Sequence, residues 1–154
     1  MVQVKGTLGT ATTLSITLTS LANGAGRIAA QYNGGSNFPI KGWISAWTKT
    51  GSVAPTAGSL IEFYLVFSDT QSPENITDGL GIIDGAIATK PANIRSVGSI
   101  VVSANADYDH QAVFPVFDLT QKWSLLVWNA TGQALSSTAE DHVMKFIPQY
   151  DETV

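Results

Sequence analysis

The segment Leu60-Ile61-Glu62-Phe63-Tyr64-Leu65-Val66-Phe67 decides the fold class of this chain. Its side chains are mostly β-branched or aromatic, and a run of this length is too short for a typical helix but suits a pleated strand. Successive side chains of a strand point to opposite faces, so Ile61, Phe63, Leu65 and Phe67 form one wholly apolar face that must be buried. The opposite face is mixed and can lie near solvent or a partner. The segment therefore predicts a strand of one sheet that is stacked on a second sheet.

The rest of the chain reads as further short strands separated by Gly, Pro, Asn and Ser. Residues 123–128 form the other densely apolar run, and we expect them to be the counterpart of the first segment. Pro115 has no backbone N–H, which confines its strand to an edge or a bulge. Residues 80–88 are ambiguous between a short strand and coil, and residues 135–140 can hold one helical turn. The remaining predicted strands cover residues 12–19, 27–32, 40–49, 94–103, 111–117 and 142–150.

The number and spacing of these strands predict the architecture. About eight or nine short strands, with a turn signal every eight to twelve residues or so, favour an all-β sandwich or barrel. They fit a two-sheet antiparallel β-sandwich with about four strands in each sheet, the jelly-roll arrangement. An immunoglobulin-like sandwich stays open, although the chain lacks paired cysteines. We expect one sandwich domain over residues 11–150, a flexible N-terminal arm over residues 1–10 and a C-terminal tail over residues 151–154.

The composition narrows the possible functions. The chain has 154 residues, enough for one domain that buries about 68–70% of its unfolded surface. It has no cysteine, which excludes disulfides and thiolate metal sites. Only 13% of its residues are charged, against about 25% in an average domain. The net charge of −4 and the lack of a basic patch argue against nucleic acid as a partner.

The beginning of the chain carries no targeting signal that we recognise. Residues 1–5 lack the apolar core of a signal peptide, and no apolar run approaches the length of a membrane span. We therefore expect a soluble chain that makes no membrane contact and whose first residue is its natural start.

Two clusters of acidic residues and histidine could hold a divalent cation, because carboxylate and imidazole groups are its usual ligands. The alternative is that both are ordinary solvated loops between strands, and no EF-hand spacing surrounds either of them. The two clusters are Asp107, Asp109 and His110, and Glu140, Asp141 and His142.

No catalytic arrangement emerges from the sequence. The chain has two histidines, and neither lies near a Gly-x-Ser-x-Gly nucleophile elbow. Glu62 is the only acid within a strongly predicted strand, so the paired carboxylates of a glycoside hydrolase are missing. Asn75 and Asn129 begin matches to the glycosylation acceptor, which we interpret as chance matches without a signal peptide. We predict that the protein is not an enzyme and needs no cofactor.

The predicted strand over residues 40–49 places Trp43 and Trp47 on one face, set among Lys41 and Lys49. Exposed tryptophans stack sugar rings or anchor protein partners, since aromatic residues are enriched at interface hot spots. The alternative is that both pack inside and the lysine stems cover them. The low charge of the chain also fits a surface that neighbours cover in an assembly, because interface cores are depleted in charge.

The two chain ends supply further candidates for contacts with neighbours, since terminal segments are ordered only when something ties them down. These candidate partner-binding residues are Met1, Val2, Val4, Lys5 and Tyr150.

Taken together, the strand and turn motifs resemble a family of small phage-encoded virion proteins. The resemblance runs through nearly the whole chain and rests on packing and turn residues. The segments that carry it are residues 12–18 (TTLSITL), 20–27 (SLANGAGR), 53–55 (VAP), 61–69 (IEFYLVFSD), 93–98 (NIRSVG), 122–129 (KWSLLVWN) and 131–135 (TGQAL). The resemblance implies a jelly-roll sandwich that sits on the virion as a capsid decoration (cement) protein. It is also compatible with a place at the head–tail junction or in the tail.

The resemblance also implies which partners the protein has. We expect a virion protein, made in the host cytoplasm, that binds the major capsid protein and forms a homo-oligomer, with a trimer as the working assumption. The rival is a carbohydrate-binding module or tail adhesin that uses Trp43 and Trp47. A glycan-cleaving jelly-roll enzyme is a third possibility, which requires paired acids that the sequence does not offer.

Overall fold

A computed structural model of the chain describes residues 4–67, 83–92 and 94–153. These residues form eleven strands and one short 3₁₀ helix, η1 (Ala139–Asp141). No helix within these ranges has the length and apolar character needed to cross a bilayer. The strands are β1 (Val4–Leu8), β2 (Thr12–Thr13), β3 (Ala25–Ile28), β4 (Tyr32–Asn33), β5 (Lys41–Lys49), β6 (Leu60–Phe67), β7 (Gly85–Ile87), β8 (Arg95–Val101), β9 (Asp109–Val116), β10 (Lys122–Ala130) and β11 (Val143–Thr153).

The strands form two antiparallel sheets that pack face to face, which confirms the predicted all-β sandwich. Sheet A has the order β1-β11-β5-β9, with β2 also paired to β11, and sheet B has the order β7-β3-β10-β6-β8, with β4 also paired to β10. Each sheet contains four strands of at least four residues, as predicted, and β2, β4 and β7 are short additions.

The strand pairs are nested along the chain. The first strand pairs with the last, β1 with β11, and further pairs follow inward: β3 with β10, β5 with β9, and β6 with β8. The chain thus folds as one long hairpin that is wrapped into two layers, which is the jelly-roll arrangement. The immunoglobulin-like alternative, whose strands follow a different order, is wrong.

Strand β6 anchors the core as its sequence pattern predicts. Ile61, Phe63 and Leu65 are fully buried and face sheet A. The expected counterpart, β10, lies beside β6 in the same sheet rather than opposite it, and its Leu125 is paired with Leu65. Sheet A supplies the opposing layer of the core, in which Phe146 packs edge-to-face against Trp123 at a ring-centroid distance of 5.0 Å.

Of the predicted strand over residues 12–19, only Thr12 and Thr13 pair with another strand, as β2. Beyond β2 the chain passes from one sheet to the other. The N–H of Leu14 donates to the carbonyl of Met144 in sheet A, whereas the carbonyl of Ser15 accepts from Ala30, next to sheet B. The apolar alternation was therefore a correct sign of burial but not of one continuous strand.

The chain ends are paired with each other. Residues 4–8 form β1 along the last part of β11, with Val4 opposite Thr153. The expected flexible arm is therefore a strand over residues 4–8, and residues 151–153 belong to β11 rather than to a free tail. The reason is that each segment satisfies the backbone hydrogen bonds of the other, which neither sequence reveals alone. Residues 1–3 and 154 lie outside the described residues.

The chain itself covers the outer face of sheet B. We call residues 83–92 the strap. Its Ile87 packs with Ile28, Val66 and Leu126 into a second apolar cluster on this face. Strands β7 and β8 lie at opposite edges of sheet B, about 19 Å apart across four strand spacings. Residues 88–92, which follow β7, therefore lead across this face toward β8.

Lys90 fixes the strap at the middle of its crossing. Its ammonium donates to Glu62 Oε2 at 2.6 Å and to the Tyr64 hydroxyl at 2.9 Å. It also lies over the rings of Tyr64 and Trp128, 4.9 and 5.3 Å from their centroids. Burial opposes the charged form of Lys90, but the hydrogen bonds to Glu62 and Tyr64 outweigh it and raise its pKa. The mixed outer face of β6 is thus occupied by the protein's own lysine.

Candidate functional site: the outer face of sheet A

The outer face of sheet A has no such cover from the described chain. In β5 the residues at even positions, from Gly42 to Thr48, are buried, and Trp43 and Trp47 alternate with them on the outside. Their exposed fractions are 37% and 38%. The alternative that both tryptophans pack inside is therefore wrong, and both are available to a partner.

The neighbouring strands surround these tryptophans with apolar side chains. Trp43 is paired with Pro115 on one side and with Ile147 on the other, and Trp47 lies between Gln111 and Val143. The row between them consists of Val113, Ser45 and Lys145. We call this surface the tryptophan face; its members are Trp43, Ser45, Trp47, Gln111, Val113, Pro115, Val143, Lys145 and Ile147.

The tryptophan face contains an open depression beside Trp47. Trp47 lies four positions after Trp43 in β5, which places their Cα atoms about 13 Å apart. The depression has a volume of about 400 Å³, and Ser45, Trp47 and Lys145 contribute to its lining. Such a surface can hold a ligand by stacking and hydrogen bonding, but it does not enclose a reacting group.

The lysines at the two ends of the tryptophan face are already paired. Lys41 Nζ lies 2.6 Å from Asp151 Oδ1. Lys49 Nζ lies 3.8 Å from Asp141 Oδ2, which also accepts a hydrogen bond from Ser136 Oγ at 2.5 Å. These two sequence candidates therefore form the polar border of the face, with their ammonium groups directed to Asp151 and Asp141.

The middle row of the face carries a lysine without an ion-pair partner among the described side chains. Lys145 is exposed, and it makes no ion pair with any side chain that the structure describes. Asp109, at the edge of the face, accepts a hydrogen bond from the Trp47 indole N–H at 3.3 Å. This bond restrains the orientation of the Trp47 ring.

The other sequence candidates lie elsewhere. Val4 and Lys5 belong to β1 at the edge of sheet A, and Lys5 is exposed. Tyr150 in β11 has the parity of the inward-facing residues and so does not belong to the tryptophan face. Met1 and Val2 lie outside the described residues.

The first candidate metal cluster is divided by the pleat of β9. Asp109 points outward to Trp47, whereas His110 is buried on the inner side, with its ring 5.1 Å from that of Tyr108. Across the described part of the chain, no three or more His, Cys, Asp or Glu side chains come together in a way that could hold a metal ion.

In the second cluster, His142 is part of the scaffold. Its Nε2–H donates to the backbone carbonyl of Ser136 at 3.0 Å, because that carbonyl can only accept. Its Nδ1 then accepts from the Thr48 hydroxyl at 2.7 Å. Burial lowers the pKa of His142 and keeps the ring neutral. Both ring nitrogens are therefore used to join β5 to the loop before β11.

The buried Asn129 has a structural role that its sequence motif did not predict. The Asn129 side chain donates to the carbonyls of Leu21 and Gln133 at 2.7 and 2.8 Å and accepts from the N–H and hydroxyl of Thr131. It is fully buried, so it organises two turns and is not presented as a glycosylation acceptor. Its place in an Asn-x-Thr-Gly turn was the available signal. The other match, at Asn75, lies outside the described residues.

Comparison with models of protein families, with curated proteins and with solved structures finds no match to this chain.

Proposed function

We propose that this protein is a structural component of a tailed-phage virion, a decoration protein that binds the outer surface of the assembled capsid. The observation that carries the proposal is the asymmetry of the sandwich. The strap covers the outer face of sheet B, whereas none of the residues that the structure describes covers the tryptophan face of sheet A, which is apolar and sparsely charged. Tryptophans at the centre of such a patch are typical anchors of protein interfaces.

The size of the face supports binding in many copies. Together with its lysine border, the face spans the width of three strands and the nine residues of β5, about 14 by 30 Å, or about 400 Å². A standard interface buries about 800 Å² on each partner, so one copy would bind weakly. A homo-oligomer, for which we propose a trimer, would present about 1,200 Å² at once and gain avidity on a repeating capsid lattice.

Stabilisation of the shell follows from linkage. A protein that bridges adjacent capsid subunits makes contacts that exist only in the assembled state, and such binding shifts the equilibrium toward that state. The paired chain ends at the edge of sheet A supply a second candidate contact beside the tryptophan face.

The test is co-sedimentation with capsids that lack this protein. The double variant Trp43→Ala/Trp47→Ala is expected to lose at least 100-fold in affinity, since truncating a hot-spot residue costs about 2 kcal/mol or more. Val101→Ala is the matched control, because Val101 is an apolar residue that is 64% exposed on sheet B. Native virions should carry many copies spread over the shell. A few copies confined to one vertex would place the protein at the portal or tail instead.

A second variant tests the chain end. Deletion of residues 1–10 should weaken capsid association while leaving the rest of the sandwich folded, because β1 is an edge strand. Circular dichroism checks the fold. Unchanged capsid binding would remove this end from the contact surface.

A second candidate function is glycan binding by a tail adhesin or carbohydrate-binding module. The observation that favours it is the pair of half-exposed indole rings, with the polar Ser45 between them and the polar Gln111 beside Trp47. It requires quenching of tryptophan fluorescence by oligosaccharides. A glycan array without hits would count against it.

A further inference from the structure

We infer that the surface recognised by the tryptophan face is a protein surface that places a carboxylate between two apolar groups, and that Lys145 pairs with this carboxylate. The inference rests on the proposed function and specifies the chemistry of the docking partner.

The position of Lys145 is the first argument. Its neighbours across the strands are Ser45 in β5 and Thr13 in β2. This row lies midway between the rows of Trp43 and Trp47. A partner that buries both tryptophans must therefore also cover Lys145.

The charge balance of the face is the second argument. Lys41 and Lys49 have carboxylate partners within the chain, and Asp109 is engaged by the Trp47 indole. Lys145 is the cation of this face that lacks an ion-pair partner among the described side chains. Burying an ammonium without a counter-charge is costly, so tight docking requires an anion from the partner.

Hydrogen-bonding groups in the same depression as Lys145 favour a carboxylate as that anion. The side chains of Ser45 and Gln111 line the same depression and offer one hydroxyl and one amide donor. A polyanion such as nucleic acid is disfavoured, because the chain has a net charge of −4 and the face offers a single unpaired cation. One carboxylate between two apolar groups would pair with the ammonium of Lys145, and the apolar groups would cover the two tryptophans.

The experiment compares substitutions at Lys145 in the capsid co-sedimentation assay. Lys145→Met keeps the stem and removes the charge, Lys145→Glu reverses it, and Lys145→Arg retains it. Lys145→Arg is the matched control, because it changes the side chain and keeps the charge. All three variants should unfold at the wild-type denaturant concentration, since Lys145 is exposed.

We expect Lys145→Met to weaken capsid binding about 30-fold, the effect of leaving one member of a desolvated ion pair alone. Lys145→Glu should bind more weakly still, and Lys145→Arg should bind as wild type does. The affinity of Lys145→Met should also depend less on salt concentration, because one charge pair is gone.

The two proposals fail in different ways. If the tryptophan variants lose binding while Lys145→Met binds like wild type with the same salt dependence, the carboxylate inference is overturned and the docking face stands. If the tryptophan variants also bind normally, the docking face itself is wrong. Quenching of wild-type fluorescence by oligogalacturonate, but not by a neutral oligosaccharide, would assign the carboxylate to a sugar and overturn the protein-partner inference.

Discussion

Replacing Lys90 by Met should loosen the strap from sheet B without disturbing the rest of the sandwich. The methionine keeps an apolar stem of similar length over Tyr64 and Trp128, so the change removes the charge and its hydrogen bonds. The partner atom is Glu62 Oε2, 2.6 Å from the ammonium.

The expected loss follows from the contacts of the ammonium. The Lys90 and Glu62 side chains are 34% and 23% exposed, so solvent screens their ion pair and its contribution is about 0.5–1 kcal/mol. The two ring contacts at 4.9 and 5.3 Å contribute about 0.5–1 kcal/mol together. Lys90→Met should therefore lower the free energy of unfolding by about 1–2 kcal/mol, which corresponds to about 3–7 °C in Tm for a chain of this size.

Urea unfolding followed by tryptophan fluorescence measures this loss, and the control is Lys145→Met on the other sheet. Glu62→Gln and the double variant complete a cycle whose coupling should be about 0.5–1 kcal/mol. Equal unfolding midpoints for Lys90→Met and Lys145→Met would refute the reasoning. The strap would then be held by the apolar cluster around Ile87 alone.

Three further predictions concern the core and its polar groups. Burial lowers the pKa of His142, so below about pH 6.5 the unfolded state binds its proton while the folded state does not. The free energy of unfolding should therefore fall as the pH drops from about 7 to 5. A urea midpoint that stays constant over this range would contradict this prediction. Gly98→Ala would place a Cβ 2.5 Å from the Phe114 ring and should cost about 1–3 kcal/mol, whereas Gly85→Ala meets nothing closer than 3.6 Å and should be nearly neutral; equal melting temperatures would exclude the clash. Asn129→Asp sets an oxygen against two carbonyls and should cost about 3 kcal/mol or more in chemical denaturation, and a near-wild-type result would show that this amide is dispensable.

Much of the fold was predictable because strand faces follow a period of two. The pattern of β6 identified its buried side, and β5 and β10 occur where their sequences indicate. The pattern was misleading where side chains are buried but the backbone does not pair with a neighbouring strand. Leu14 and Leu18 are buried as expected, yet the chain between them leaves sheet A for sheet B.

The candidate site was predictable only in part. The alternation in β5 placed Trp43 and Trp47 on a common side, but it could not say whether that side was the core, because tryptophan and lysine stems both tolerate burial. The clustered acids and histidines suggested metal sites, and the pleat then directed Asp109 and His110 to opposite sides. Adjacent residues of a strand cannot converge on one ion as residues of a loop can.

The amino-acid sequence by itself determined the class of the fold, the buried side of β6, and the scarcity of charge. These properties follow from local periodicity and composition. Only the tertiary structure decided that, within the described part of the chain, the outer face of sheet B is covered and that of sheet A is not, and that Lys145 has no ion-pair partner there. Those outcomes depend on partners far apart in the chain, such as Glu62 with Lys90 and Lys41 with Asp151, and on a strap that crosses one sheet and not the other.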